Sequence, residues 1–233
     1  MLKTPGWEMM IVVYFFLGGI AGGAYFTAVI ADNFGSRRDH PVVKIGYLLS
    51  LPLVALCGLL LIGDLGVPSR FLNMMRVFKF WDPMSLGAWA VGVFGLFAFV
   101  SSVLSFLETP AAISLRRKIG LIGMLFGFFL ASYTGVLLSN TALPFWSEAR
   151  LMGALFLASG ASTGMAAISL ILFLTGATAG EAWGKVKKAD RFSMIFELVL
   201  LALFLFLLGA AAKPLISGHF AMMFWGGLVV VGL

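Results

Sequence analysis

Along this chain apolar residues run in long unbroken blocks, and nearly all charges collect in the short stretches between them. The blocks predict membrane-spanning helices near 9–31, 43–63, 85–107, 119–139, 151–175 and 192–212, with a seventh from about 215 to the end. Continuous apolar runs of about 20 residues suit helices crossing ~30 Å of hydrocarbon, since a helix satisfies its own backbone hydrogen bonds there. Barrel strands would alternate apolar and polar positions instead. The last span is short. If it starts after His219, fourteen residues remain to Leu233, fewer than the ~20 a crossing needs, so the native chain is expected to continue.

The charges between blocks set the orientation. One side of the membrane receives Arg37, Arg38, Lys44, Arg116, Arg117, Lys118, Lys185, Lys187, Lys188 and Arg191; the other receives Lys3, Arg70, Arg76, Lys79, Arg150 and Lys213. The richer side is expected to be cytoplasmic, which puts the N-terminus outside. The first span is followed by Asp32, Asn33 and Arg37 and not by a small-residue cleavage site, so it is expected to stay in the mature protein.

Composition sharpens this picture. At 61% hydrophobic and 11% charged residues, with a mean hydropathy of +1.05, the chain is far from a soluble domain. Its net charge of +6 follows from topology, and nucleic-acid binding, which needs a soluble basic surface, is not expected. Haem in membranes is held by paired histidines and iron-sulfur clusters by sets of cysteines. Here His40 and His219 are far apart and Cys57 stands alone. No metal site, haem or cluster is expected, so redox chemistry would need a diffusible ligand or a partner's cofactor.

Two features of the connections and spans bear on assembly. The outer stretch from Asp64 to Pro83 is long, and Arg70, Arg76, Lys79 and Trp81 within it suit docking of a partner or, equally, a headgroup belt. Phe16–Ala24 and Phe156–Gly164 are alike, both read from outside to inside, and carry the GxxxG pairs Gly18/Gly22, Gly19/Gly23 and Gly160/Gly164. Such small residues let helices approach closely, and the likeness predicts a repeat of two four-helix units with an eighth span.

Polar residues within spans are costly and mark sites. Tyr14, Asp64, Ser85, Trp89, Ser132, Tyr133 and Thr134 come to one depth near the outer surface. Each has a plain alternative: Asp64 can pair with Arg70, and a tyrosine hydroxyl can bond to backbone. Together they match a quinone's needs, with hydroxyl donors for its carbonyls, an apolar slot for its tail and a base for protons. Glu197 lies further along, on the sixth span near its cytoplasmic side. It reads as a proton-path element or, the favoured reading, as a partner of Arg191 or another cation. Asp32, Glu108 and Glu181 read as solvated helix ends.

Tyr14–Ala24, Pro83–Trp89 and Ala131–Ser139 resemble the signature stretches of the NrfD and polysulfide-reductase membrane-subunit family. The resemblance implies an all-α integral membrane protein, with seven spans visible and eight in the native chain, arranged as two four-helix bundles over residues 1–141 and 142–233. It implies electron exchange between the quinone pool and a ferredoxin-like iron-sulfur subunit on the outer face, with further redox subunits beyond, in the cytoplasmic membrane of a bacterium or archaeon. By position, the family's quinone-contacting tyrosine falls on Tyr133 and its acidic residue at the end of the second helix on Asp64. A first-helix polar residue, histidine in at least one relative, falls on Tyr14. A menaquinol or ubiquinol head between Tyr14, Asp64, Ser85, Trp89 and Tyr133 is the expected site, with Asp64 and Tyr133 as its reactive pair. An ion-translocating module and a structural anchor without a working site are the competing classes.

Overall fold

The computed structural model describes residues 9–65, 71, 76, 78, 83–107, 109–139, 151–177, 181–218 and 220–231. Six helices long and apolar enough to cross a membrane dominate it: α1 Met9–Phe34, α2 His40–Gly63, α3 Pro83–Ser105, α4 Pro110–Ser139, α5 Met152–Leu174 and α6 Glu181–Leu208. A short helix α7, Lys213–Ile216, and then α8, Ala221–Val231, follow. The all-α membrane bundle expected from the sequence is what is found. The seventh predicted span is broken at Ser217 and Gly218, and α8 covers only 11 residues.

The centres of the six spans match their expected positions, but two ends do not. α4 begins at Pro110 and α6 at Glu181, so Arg116, Arg117, Lys118 and the Lys185–Arg191 segment stand on helices and not in loops. Helical backbone does not stop at the hydrocarbon boundary when the polar residues beyond it are good helix formers.

The helices α1 to α4 close a ring, α1 against α2, α2 against α3, α3 against α4 and α4 against α1, while α5 packs on α1 and α4 and α6 on α5. Small residues make α1 the hub. A β-carbon added at Gly22 would come within 2.8 Å of the Gly127 carbonyl oxygen on α4. On another face, Gly19 meets Gly160 and Gly23 meets both Gly160 and Gly164. Since rising numbers on α1 meet rising numbers on α5, the two helices run parallel. Without a hydrophobic force between helices in lipid, such backbone proximity supplies the packing.

Inside the ring, Tyr25 meets Tyr47 and Phe94 edge to face, each at 5.2 Å between ring centroids, and its hydroxyl is 2.8 Å from the Ser101 hydroxyl. Ser50 and Ser102 both donate to the Tyr47 carbonyl at 2.8 Å. One expectation fails at the basic end of the ring. Asp32, read as a solvated helix end, is buried, and the equally buried Arg116 grips it through two nitrogens at 2.7 and 2.8 Å. The early start of α4 carries Arg116 inward to meet it. Glu181 does sit at an exposed end, paired with Arg38 at 2.8 Å, while Glu108 lies outside the described residues.

Candidate functional site

The end of the bundle opposite the Asp32–Arg116 pair gathers the residues singled out in the sequence. Tyr14 is the sixth residue of α1 and is buried. Its carbonyl receives the thiol of Cys57 on α2 at 3.7 Å, which fixes the level at which α1 and α2 cross. Its side chain lies within electrostatic reach of Tyr133 on α4. Tyr133, also buried, stacks on Phe129 one turn earlier, with centroids 5.5 Å apart and planes 21° from parallel. A β-carbon at Gly87 of α3 would lie 2.9 Å from the Tyr133 hydroxyl. α1 and α4 thus set two buried phenols within electrostatic reach of each other, with Gly87 of α3 against one of them.

The other expected members are differently placed. Asp64 caps α2, its backbone N–H donating to the Leu60 carbonyl at 3.0 Å, and is partly exposed. It stands seven residues past Cys57, about 10 Å nearer the bundle end than Tyr14 by helical rise. Among the described residues its carboxylate makes no hydrogen bond or ion pair. Arg70, its alternative partner, lies outside them, as do Lys79 and Trp81; Arg76 is described and exposed. Ser85 is buried at the start of α3. The hydroxyls of Ser132 and Thr134 donate to carbonyls of their own helix, of Phe128 at 2.9 Å and Ala131 at 3.0 Å.

Trp89 faces away from the two tyrosines' contacts, into a groove that neither tyrosine lines. It lines a groove of about 610 Å³ between α3 and α4, walled by Phe78, Leu86, Val93, Leu125 and Phe129. The Phe78 ring meets its indole edge to face at 5.8 Å, and the buried indole N–H has no hydrogen-bond partner among the described residues. Phe129 joins the two places, forming the groove wall on one side and the stack with Tyr133 on the other.

Glu197 departs from its favoured reading. Among the described residues it pairs with neither Arg191 nor a lysine. It instead lines a cavity of about 540 Å³ between α1, α5 and α6, with Phe15, Phe156, Ser159 and Thr163. One turn and more away, Ser162 holds Asp190 at 3.1 Å. Sequence reasoning missed Ser159 and Gly87; each is a small residue whose meaning comes only from what crosses it. Among the described residues no three histidine, cysteine, aspartate or glutamate side chains are grouped to hold a metal ion.

Comparisons with known proteins place this architecture. The chain is 31% identical to a polysulfide reductase chain of Wolinella succinogenes, over 99% of this chain and 81% of that one. It is 29% identical to an NrfD homolog of Haemophilus influenzae, over 99% of this chain and 82% of the relative. A shorter likeness, 26% identity over 42% of this chain and 22% of the relative, connects it with a putative dimethyl sulfoxide reductase membrane subunit of Halobacterium salinarum. The profile of the family described as polysulphide reductase, NrfD, matches residues 2–233. With six apolar helices of spanning length and that match over nearly its whole length, the chain belongs to the NrfD family of polysulphide reductase membrane proteins.

Proposed function

We propose that this chain is the membrane subunit of a redox complex and exchanges electrons between the quinone pool and an iron-sulfur partner at the outer face. The observation that carries the reading is the Tyr14 and Tyr133 pair, two buried phenols from separate helices within electrostatic reach of each other, beside an apolar groove whose indole N–H has no partner among the described residues. A quinone head has two carbonyl acceptors and an apolar ring and tail, and this set of donors and apolar walls fits it. Quinol oxidation to quinone releases two electrons and two protons.

In this reading Tyr14 and Tyr133 hold and orient the head, Ser85 supports the α3 side, and Trp89 lines the lipid-side approach. Asp64, unpaired among the described residues and nearer the surface, accepts protons and passes them outward. Residues 1–141 form the unit that carries the site, and 142–233 a second helical unit. Arg70, Arg76, Lys79 and Trp81 receive a ferredoxin-like subunit, to which electrons pass one at a time. Further redox subunits complete the assembly in the cytoplasmic membrane of a bacterium or archaeon, with the N-terminus outside. The reverse direction, quinone reduction, uses the same groups.

A proton-translocating role is a second reading, favoured by Glu197 in its cavity with Ser159 and Thr163. It is compatible with the first. The test is quinol oxidation by the assembled complex carrying Tyr133→Phe or Asp64→Asn. Turnover is expected to fall in both while assembly persists, and native turnover in both would overturn the site.

A further inference from the structure

The lysine- and arginine-rich end of the bundle holds a recess of about 970 Å³ between the close of α1 and the first turns of α2 and α4. Among the described residues, four cations line it, Arg37, Arg116, Arg117 and Lys118, against the single carboxylate of Asp32, with His40 beside them. Asp32 does not neutralise the recess as a whole. Arg116 consumes its carboxylate in a bidentate contact at 2.7 and 2.8 Å, and Arg117 reaches it only at 3.5 Å. The nearby Asp39 is already held by Lys185 at 2.9 Å and by Ser36. Arg37 and Lys118 make no ion pair among the described residues, so the mouth keeps an excess of positive charge.

The rest of the lining says what kind of anion fits. Hydroxyls of Ser36 and Ser114 stand at the polar side, and Val43, Pro110 and Ile113 supply an apolar wall. Leu115, on the helix that brings Ser114 and Lys118, is exposed, as are Phe34 at the end of α1 and Phe106 and Leu107 just before α4. A free phosphate ion would use only the polar half of this recess. An anionic phospholipid uses both halves, placing its phosphate among the cations and its acyl chains along the exposed apolar side chains.

We propose that this recess binds the phosphate of an anionic glycerophospholipid, through Arg37, Arg117 and Lys118 set on the rigid Asp32–Arg116 pair. The site is independent of the quinone reading, which concerns the opposite end of the bundle.

The test uses the full chain, delipidated in detergent and returned to bilayer discs of phosphatidylcholine carrying a minor fraction of labelled phosphatidylglycerol. Retained phosphatidylglycerol is counted by native mass spectrometry after release. Arg37→Gln and Lys118→Gln, both at exposed positions, are each expected to lower retention about five-fold. Arg37→Lys is expected to keep most of it. Lys213→Gln, exposed at the other end of the bundle, is expected to change nothing, and excess inorganic phosphate is expected not to displace the lipid. Native-level retention in Arg37→Gln and Lys118→Gln, an equal loss with Lys213→Gln, or displacement by inorganic phosphate would each overturn the proposal.

Discussion

The hydroxyl of Tyr133 rests on the bare backbone of Gly87, where an added β-carbon would lie only 2.9 Å from the phenol oxygen and 2.9 Å from Cε1. Nothing smaller than glycine exists, so the position of the phenol is set by α3 at that point. Gly87→Ala should push the ring from its place beside Tyr14 and leave the helix intact. Misplacing a positioned group by about an ångström costs up to ~100-fold in rate; quinol turnover should fall about ten-fold. Gly58→Ala, whose β-carbon would meet only Val91 at an ordinary 3.9 Å, should leave turnover unchanged. Equal rates for the two variants would show that the Tyr133 position does not govern the reaction.

Gly23 is the closest backbone approach between α1 and α5. A β-carbon there would overlap the Gly160 carbonyl and reach the Gly164 α-carbon at 3.1 Å, and backbone on both sides cannot yield as a side chain tip can. Gly23→Ala should therefore destabilise by about 3 kcal/mol or more, at the upper end of overpacking costs. A large drop in melting temperature of the detergent-solubilised protein would register it. Gly184→Ala, with nothing within 4 Å of the new carbon, should match or slightly exceed the native protein because alanine favours helix.

How far the sequence foretold these relationships depends on the direction asked about. Depth was readable: hydrocarbon excludes charge, so the span centres and the common level of Tyr14 and Tyr133 follow from hydropathy and topology. Rotation about each helix axis was not. Helices that are apolar on every side carry little amphipathic signal, so nothing distinguished the Trp89 side of α3, on the groove with Phe129, from the Gly87 side against Tyr133. Helix ends were also hidden, since Pro110–Lys118 and Glu181–Arg191 are polar enough to pass for loops yet fold as helix. The Asp32–Arg116 pair depends on that hidden end and joins residues 84 apart, which no local pattern reveals.

That pair carries its own prediction. Asp32 and Arg116 are 4% and 2% exposed, so removing Asp32 leaves Arg116 buried without compensation, and removing Arg116 leaves Asp32 only the half-exposed Arg117 at 3.5 Å. Asp32→Leu or Arg116→Met alone should cost about 3–5 kcal/mol, whereas the two together should restore much of the loss, since apolar replacement of a whole buried pair is often close to neutral. Melting temperatures of the two single variants and the double variant check it. Additive losses in the double variant would mean that the two side chains act separately.

Glu197 offers the sharpest test of whether the second helical unit takes part in proton movement. Its carboxylate lies in an apolar cavity with hydroxyls of Ser159 and Thr163 as the polar lining, and Thr163 is already committed to the Ser159 carbonyl at 2.8 Å. A partly buried carboxylate with so few partners is costly to keep, and Glu197→Gln keeps the shape while removing the exchangeable charge. The variant should fold at least as stably as the native chain. If Glu197 relays protons during quinol chemistry, turnover in the assembled complex should fall about ten-fold, below the ~100-fold typical of a direct general base. Glu197→Asp should recover part of that loss. Native turnover and native proton release from liposomes carrying Glu197→Gln would leave the cavity as packing alone, because the glutamine can hydrogen-bond Ser159 but cannot carry a proton across.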